Sequence, residues 1–230
     1  MRAQPENHDT LSDIDLATLA AKRDGGAIKL IVVRNNQRLF RTAWSVLRHH
    51  NDAEEVVQEA YLKAFASIAT YSGKSSLSTW LTRITLNAAL DFRRASERRR
   101  AAFEAQDISM IEDQMAVRRT NESPAQAPEI QLGRLELART LKAAIARLPD
   151  PYRSVFVLRD VEGMSARETA EVTTLNEATV KTRLFRARQL LRQDLEPDLQ
   201  ALLAEVVTFA GADCNAMTRN VLKAMGLDQA

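Results

Sequence analysis

Apolar residues recur three and four positions apart along most of the chain, which is the spacing of one face of an α-helix. β-Branched residues rarely alternate with polar ones, and only seven glycines and six prolines interrupt the pattern. One break is strong, because residues 118–131 are small and polar and include Pro124 and Pro128. The pattern predicts an all-α fold with two small helical domains, at about 11–100 and 133–196, joined by a flexible linker over 101–132 and followed by a tail over 197–230.

An acidic helix start lies in the first domain. Asp52 is followed three residues later by Glu55, which fits a capping-box-like start in which the aspartate oxygen accepts backbone N–H groups. We therefore predict a helix that is capped by Asp52. Its predicted buried stripe comprises Val57, Tyr61, Ala64 and Ile68.

The second domain carries three further start signals. Asp150 precedes Pro151, which places a cap before a proline in the first turn. Ser165 and Glu168 have the S-x-x-E spacing of a capping box. Asn176 stands where it would cap the last long helix of this domain.

Residues 165–192 read as two helices, over about 166–172 and 177–192, with a tight joint at 173–175. The apolar stripe of the second helix comprises Val180, Leu184, Ala187 and Leu191. Its opposite side, which we term the α-basic face, carries Thr179, Lys181, Thr182, Arg183, Arg186 and Arg188. Arginine can bridge guanine acceptors, lysine meets phosphate and the threonine methyl meets the thymine methyl, so the pattern is typical of a helix-turn-helix that enters a major groove. A solvated surface helix is the alternative.

The joint lacks the glycine that is usual in such turns, and Thr174 occupies its position. A positive φ there would strain a β-branched residue.

Residues 71–94 read as a serine-rich loop followed by a helix. The predicted buried stripe of this helix comprises Leu77, Leu81, Ile84 and Ala88. Another stripe, the polar column, comprises Thr79, Arg83, Asn87, Asp91 and Arg94. The loop places small polar residues such as Ser76 between Tyr71 and Trp80, which suits a single-stranded nucleic acid whose bases stack on rings. An exposed face held by salt bridges, and a core position for Trp80, are the alternatives.

Charge is distributed unevenly along the chain, although the net charge is only +2. The local balance is +4 over residues 83–100, −4 over 101–131 and +3 over 165–192. Two separated basic elements are what two contacts with a polyanion require.

Composition excludes several protein classes. At 45% hydrophobic and 27% charged residues, the chain is neither collagen-like nor wholly disordered. No apolar run exceeds four residues, so we expect no membrane insertion and a cytoplasmic location. One cysteine and three scattered histidines predict neither a disulfide nor a metal site, and we expect no cofactor. There is no G-x-S-x-G, P-loop, H-E-x-x-H or Cys–His pair, so an enzyme is not expected.

Taken together, four motifs resemble a bacterial RNA polymerase sigma factor of the extracytoplasmic-function (ECF) group, within the sigma-70 family. The resemblance covers about residues 11–196. It is carried by DAEEVVQEAYLKAF at 52–65, STWLTRITLNAALDFRR at 78–94, LPDPYRSVFVLRDVEGMSARETAEV at 148–172 and EATVKTRLFRARQLLR at 177–192. The first domain is similar to region 2 of such factors and the second to region 4.

The resemblance implies a function in promoter recognition. Such a factor binds core RNA polymerase, directs it to specific promoters and assists strand opening for transcription initiation. The polymerase would contribute its beta flap and its beta-prime clamp helices, the latter meeting Asp52, Glu55, Gln58 and Glu59. The minus-ten element would meet Tyr71, Ser76, Thr79, Trp80, Arg83, Asn87, Asp91 and Arg94. The minus-thirty-five element would meet Arg167, Thr179, Lys181, Thr182, Arg183, Arg186 and Arg188.

Three points stay open at this stage. A stand-alone helix-turn-helix regulator that binds duplex DNA without polymerase is the alternative function. The acidic linker is either a segment that threads a positively lined channel or a plain spacer. In the tail, which has no readable role, Cys214 is either a buried small hydrophobe or a redox sensor. By analogy with relatives, we also expect an anti-sigma factor that holds both domains.

Overall fold

A computed structural model describes residues 11–106, 129–194 and 212–226, with side chains described over 11–101, 138–194 and 215–226. All regular structure in these ranges is helical, which confirms the all-α prediction. The helices are α1 (Asp13–Ala21), α2 (Gly25–Leu47), α3 (His50–Ser67), α4 (Leu77–Gln106), α5 (Glu129–Arg147), α6 (Asp150–Phe156), α7 (Ala166–Thr173), α8 (Glu177–Asp194) and α9 (Ala212–Ala224). A 3₁₀ turn spans Ile68–Thr70, and a π-helical turn spans Val157–Val161.

The first unit, α1–α4, is a bundle in which α2, α3 and α4 pack against one another. Tyr61 is fully buried on α3, and its hydroxyl donates to the Val32 carbonyl of α2 at 3.1 Å. The carboxylate of Asp13 on α1 accepts the backbone N–H of Leu77 at 2.8 Å, which satisfies one of the free donors at the start of α4.

The helix cap predicted at Asp52 is wrong by three residues, because His49 precedes the first helical residue. Arg48 adopts a left-handed conformation (φ 61°) and ends α2, and the chain re-enters a helix at His50 after only one further residue. Asp52 therefore lies in the first turn of α3 and does not cap it, although its charge still suits the helix dipole. The buried stripe is confirmed, since its four members are at most 2% exposed: Val57, Tyr61, Ala64 and Ile68.

In the second unit, α5–α8, the helix cap predicted at Asp150 is wrong. Pro149 is the residue before α6, and Asp150 is its first helical residue, so Asp150 does not act as a cap. Its carboxylate instead accepts hydrogen bonds from Arg93 and Arg153, each at 2.5 Å. Because both carboxylate oxygens of Asp150 bind arginines, neither is available to cap the backbone N–H groups of α6.

The other two start signals of the second unit are confirmed. Ser165 and Glu168 form both bonds of a capping box, at 3.1 and 2.8 Å. The side-chain oxygen of Asn176 accepts from the Thr179 N–H at 2.7 Å and thereby caps α8. Thr174 has φ 55° and ψ 31°, so the joint between α7 and α8 holds a β-branched residue in the left-handed region.

The segment predicted as a linker is helical at both ends. Helix α4 extends to Gln106, and α5 begins directly after Pro128. Residues 107–128, with most of the acidic charge, lie outside the described residues, as do residues 195–211 and the side chain of Cys214. Within the described ranges, no helix has the length and apolar character needed to cross a bilayer.

The two units pack against each other. Helix α7 lies on α4, and α6 with the π-helical turn lies on α2. Beyond both units in sequence, α9 packs across α2 and α3.

Candidate nucleic-acid interface

Helix α8 presents the α-basic face largely to solvent. Its apolar stripe is confirmed, with exposures of 0 to 7% at Val180, Leu184, Ala187 and Leu191. On the opposite side Lys181, Thr182 and Arg186 are exposed. The Thr182 hydroxyl donates to the Ala178 carbonyl at 3.0 Å, so the methyl group is what Thr182 offers to a DNA groove.

Phe185 is a residue that the sequence reasoning missed. Its ring is 68% exposed on α8, one helical turn after Lys181. An aromatic residue outside the apolar stripe was the available signal. An exposed ring on a basic helix is a surface for apolar contact with a thymine methyl.

Arg188 differs from its neighbours on α8 because it has a partner within the chain. Its Nε and Nη2 atoms donate to the two carboxylate oxygens of Asp160 at 2.7 and 2.6 Å. These bonds raise the pKa of the Arg188 guanidinium above its usual value. Arginine binds phosphate through the same pair of parallel N–H donors, and in Arg188 both of these donors bind Asp160.

Arg183 is half-buried, because it lines a cleft of about 200 Å³ between the two units. The cleft is also lined by Leu86 and Leu90 of α4 and by Val155 of α6. Arg167 is exposed on the first turn of α7. The residues predicted for the minus-thirty-five element therefore lie on α7 and α8 of one unit, with Arg183 turned partly toward the other unit.

The loop before α4 is held by local hydrogen bonds. The Ser76 hydroxyl accepts the Thr79 N–H at 3.1 Å and so acts as a cap. The Tyr71 hydroxyl donates to the Ser75 carbonyl at 2.7 Å, and the Tyr71 and Trp80 rings meet in a tilted contact with centroids 5.7 Å apart. Burial and the nearby charge of Asp13 raise the pKa of Tyr71. Trp80 is half-buried at the edge of the core. This position lies between the two predictions for Trp80, which were a core residue and an exposed ring on which bases stack.

The polar column of α4 runs from buried to exposed. Thr79 is 1% exposed and Arg83 is half-buried, whereas Asn87, Asp91 and Arg94 face solvent. Arg94 donates to Asp91 at 3.1 Å, an exposed ion pair of the kind that the salt-bridge alternative predicts. The predicted apolar stripe of α4 is buried at Leu77, Leu81 and Ala88, and Ile84 is half-buried.

Thr79 is buried because α7 lies over it. Its hydroxyl makes bonds to Ser76 at 2.8 Å and to Glu168 at 3.3 Å. The hydrogen bonds from Ser165, and more weakly that from Thr79, hold the pKa of Glu168 below its usual value, while burial acts against them. The capping glutamate of α7 thus also closes the first turn of α4.

A buried ionic cluster joins the π-helical turn to α2. The Glu162 carboxylate accepts from Arg38 at 3.2 Å and from Arg41 at 3.1 Å, and the Glu162 side chain is 6% exposed. Arg38 also donates to the Ser78 hydroxyl at 2.9 Å. The sequence reasoning missed this cluster, although a charge at Arg41 between apolar residues was a signal.

Arg153 crosses from one unit to the other and is fully buried. Its guanidinium donates to the Ser45 carbonyl of α2 and to the Ala146 and Leu148 carbonyls of its own unit, at 2.5, 3.2 and 2.6 Å. Burial lowers the pKa of Arg153, and the Asp150 carboxylate opposes that shift.

The acidic face predicted for polymerase lies along α3. Helix α3 has four acidic residues and one lysine, and its exposed acids Glu55 and Glu59 are one turn apart. Asp52 and Gln58 are half-buried beside them. None of the hydrogen bonds and ion pairs named above between the two units involves a residue of this α3 set.

The matches to protein families follow this division of the chain. Residues 31–99 match the family model "Sigma-70 region 2", and residues 138–191 match "Sigma-70, region 4". The chain is also 30% identical over 191 residues to the ECF RNA polymerase sigma-E factor of Haemophilus influenzae, with 82% of this chain and 98% of that protein covered. The chain belongs to the sigma-70 family. Region 2 thus corresponds to α2–α4, and region 4 to α5–α8.

Further relatives carry the same group name. The ECF RNA polymerase sigma factor SigW of Bacillus subtilis is 29% identical over 174 residues, with 76% of this chain and 91% of that protein covered. Among solved structures, the chain is similar to the sigma factor RpoE in complex with the anti-sigma factor NepR from Bartonella quintana. The TM-score is 0.55 at 25% identity, with 74% of this chain and 94% of that chain covered.

A second solved structure is CnrH in complex with the cytosolic domain of CnrY. It has a TM-score of 0.53 at 25% identity and covers 79% of this chain and 95% of that chain. The family assignment confirms the sequence-based recognition of an ECF sigma factor. It does not test the individual residue roles, which stay predictions.

Proposed function

We propose that this chain is a sigma factor that binds core RNA polymerase, directs it to specific promoters and assists strand opening, with no catalytic step of its own. The observation that supports the proposal is that regions 2 and 4 each have a helix with exposed arginines and other polar residues, α4 and α8. The polymerase supplies the chemistry, and the protein acts with it in the cytoplasm.

Region 4 reads the minus-thirty-five duplex. Lys181, Thr182 and Arg186 face solvent on α8, where they meet base edges and phosphates in the major groove. Phe185 adds an apolar contact, and Thr179, Arg183 and Arg167 complete the surface. Arg188 is already paired with Asp160, so it contributes less than the other arginines to direct contacts with bases.

Region 2 captures the melted minus-ten strand. Asn87, Asp91 and Arg94 are exposed along α4, and Tyr71 and Trp80 stand at its start. Flipped bases are stacked on rings and hydrogen-bonded at their edges, which these groups supply together with Ser76, Thr79 and Arg83.

Promoter binding requires the two units to separate. The minus-ten and minus-thirty-five elements are about 25 base pairs apart, or roughly 85 Å of B-DNA at 3.4 Å per pair. In the structure, Thr79 of region 2 and Glu168 of region 4 are 3.3 Å apart. The packed arrangement is therefore a resting state, and an anti-sigma partner that touches both units would favour it.

Polymerase binding is assigned to the acidic face of α3. Charge complementarity steers partners and sets register, and an acidic face repels DNA while it attracts a basic protein surface. The faces of α4 and α8 then remain available for DNA in the complex.

The test is gel filtration of the full chain with core polymerase. We expect stoichiometric co-elution, and we expect the double variant Glu55→Lys/Glu59→Lys to elute separately. The control variant Glu97→Lys/Glu171→Lys reverses two exposed acids on α4 and α7 and should co-elute. If the unsubstituted chain fails to co-elute but binds duplex DNA tightly alone, the stand-alone regulator replaces this proposal.

A further inference from the structure

Helix α9 lies outside both family segments, which end at residues 99 and 191. The Haemophilus influenzae relative is covered over 98% of its length, yet the match spans only 82% of this chain. Nothing in these matches assigns a role to α9. Its position must therefore be judged from its own contacts.

The buried side of α9 docks on region 2. Met217, Val221 and Leu222 are 2, 1 and 8% exposed, and they recur at helical spacing. The buried Thr218 hydroxyl accepts from the Asn36 side-chain amide of α2 at 3.0 Å, across 182 residues of sequence. The opposite side, which includes Asn220, is exposed. An amphipathic helix thus fills a groove formed by α2 and α3.

The docking site borders the exposed surface of α3. Leu62 on α3 and Val33 on α2 are large apolar residues with exposures of 40 and 52%. Val33 lies three residues before Asn36 on α2, a rise of about 4.5 Å along the helix, so Val33 is close to the residue that binds α9. Leu62 shares a stripe with Glu55 and Glu59. Helix α9 therefore packs on the two helices that carry these exposed residues.

Charge favours the same docking. Helix α9 has two basic residues, Arg219 and Lys223, and one acid, Asp213, whereas α3 has four acids and one lysine. A partner that is attracted to the acids of α3 is basic as well. A helix with side chains is about 10 Å across and α9 packs on α3, so a polymerase helix laid along α3 would need part of the space that α9 fills.

We propose that α9 and core RNA polymerase compete for this α2–α3 surface, so that the tail helix lowers the affinity of the chain for polymerase. The inference rests on the proposed function. Among the described side chains of this segment, three apolar residues are buried, which is a small anchor for a helix and suits a contact that is released.

The test compares two full-length variants that add the same charge at adjacent positions. Val221→Asp places a carboxylate on the buried side of α9, and Asn220→Asp places it on the exposed side. Hydrogen exchange of the free proteins should show α9 and the facing part of α2 deprotected only in Val221→Asp. If α9 is docked in about nine molecules of ten, Val221→Asp should bind core polymerase about tenfold more tightly than Asn220→Asp.

Thr218→Val is a milder variant that removes the hydroxyl and keeps the shape, and we expect about threefold tighter binding. The inference is overturned if Val221→Asp deprotects α9 without a change in polymerase affinity, or if it leaves the exchange of α9 unchanged. In either case the proposed function stands, provided that the unsubstituted chain binds polymerase. If no variant binds polymerase at all, the proposed function fails, and this inference fails with it.

Discussion

Helices α4 and α8 are both amphipathic, but their polar faces are exposed to different degrees. Each has one buried apolar stripe and one polar face, and each polar face begins close to a capped start. The face of α8 is open at Lys181, Thr182 and Arg186, whereas the first turn of α4 is closed because Glu168 of α7 binds Thr79. The two helices therefore differ in the access that packing between the units leaves to their polar faces.

The largest effect should come from the residue that crosses between the units. Arg153→Ala leaves the carbonyls of Ser45, Ala146 and Leu148 without this donor in a buried site. We expect the free energy of unfolding to fall by about 3–5 kcal/mol, as measured by urea denaturation. Arg147→Ala is the matched control, because its ion pair with Asp194 is exposed, and it should change stability by less than about 0.5 kcal/mol. Equal losses in the two variants would contradict the role of burial.

The next effect concerns the closed state of α4. Glu162→Gln removes the charge that Arg38 and Arg41 share in a buried contact, which should weaken the packing of the units by about 3 kcal/mol. Fluorescence anisotropy should then show tighter binding of a single-stranded minus-ten oligonucleotide to the free chain. Glu171→Gln, an exposed acid on α7, should bind this oligonucleotide as the unsubstituted chain does. Binding that is unchanged in Glu162→Gln would show that the cluster does not limit access to α4.

The proposed role of α8 can be tested by its selectivity among minus-thirty-five duplexes. Arg183→Ala should lower the affinity for minus-thirty-five duplex by about 1–3 kcal/mol and relax the preference at one base pair. Arg192→Ala removes the same charge farther along α8, and it should weaken specific and non-specific duplexes equally. Competition binding with mutated duplexes separates the two outcomes. Unchanged promoter selectivity in Arg183→Ala would remove Arg183 from the reading set.

The smallest effect lies in the joint between α7 and α8. Thr174→Gly relieves a β-branched residue at φ 55° and should raise the free energy of unfolding by about 0.5–1 kcal/mol. Thr173→Gly, one residue earlier within α7, should lower it instead. Thermal unfolding measures both changes. A loss of stability in Thr174→Gly would mean that the threonine side chain contributes more than its backbone strain costs.

The sequence predicted local features well. The α8 stripe, the Ser165–Glu168 box and the Asn176 cap each depend on residues within one or two helical turns. The ECF assignment is confirmed because its motifs are long and follow one another in the family's order. The residue roles on α3, α4 and α8 stay predictions.

The sequence did not predict contacts between distant segments. Glu162 lies 121 residues from Arg41, and Thr218 lies 182 residues from Asn36, so no periodicity links them. The start of α3 was misplaced for a local reason, because the turn at Arg48 determines where the helix resumes and a cap-like Asp52 does not. The missed contacts between distant segments are those that bring the units and the tail helix together.

The ring pair at the start of α4 gives the molecule an optical reporter of its own. The chain has two tryptophans, of which Trp44 is 5% exposed, while Trp80 is half-buried beside Tyr71. A base that stacks on Trp80 would quench its emission and leave that of Trp44 as a constant background. If region 2 captures the melted strand as proposed, intrinsic fluorescence would follow that step in real time without an attached dye.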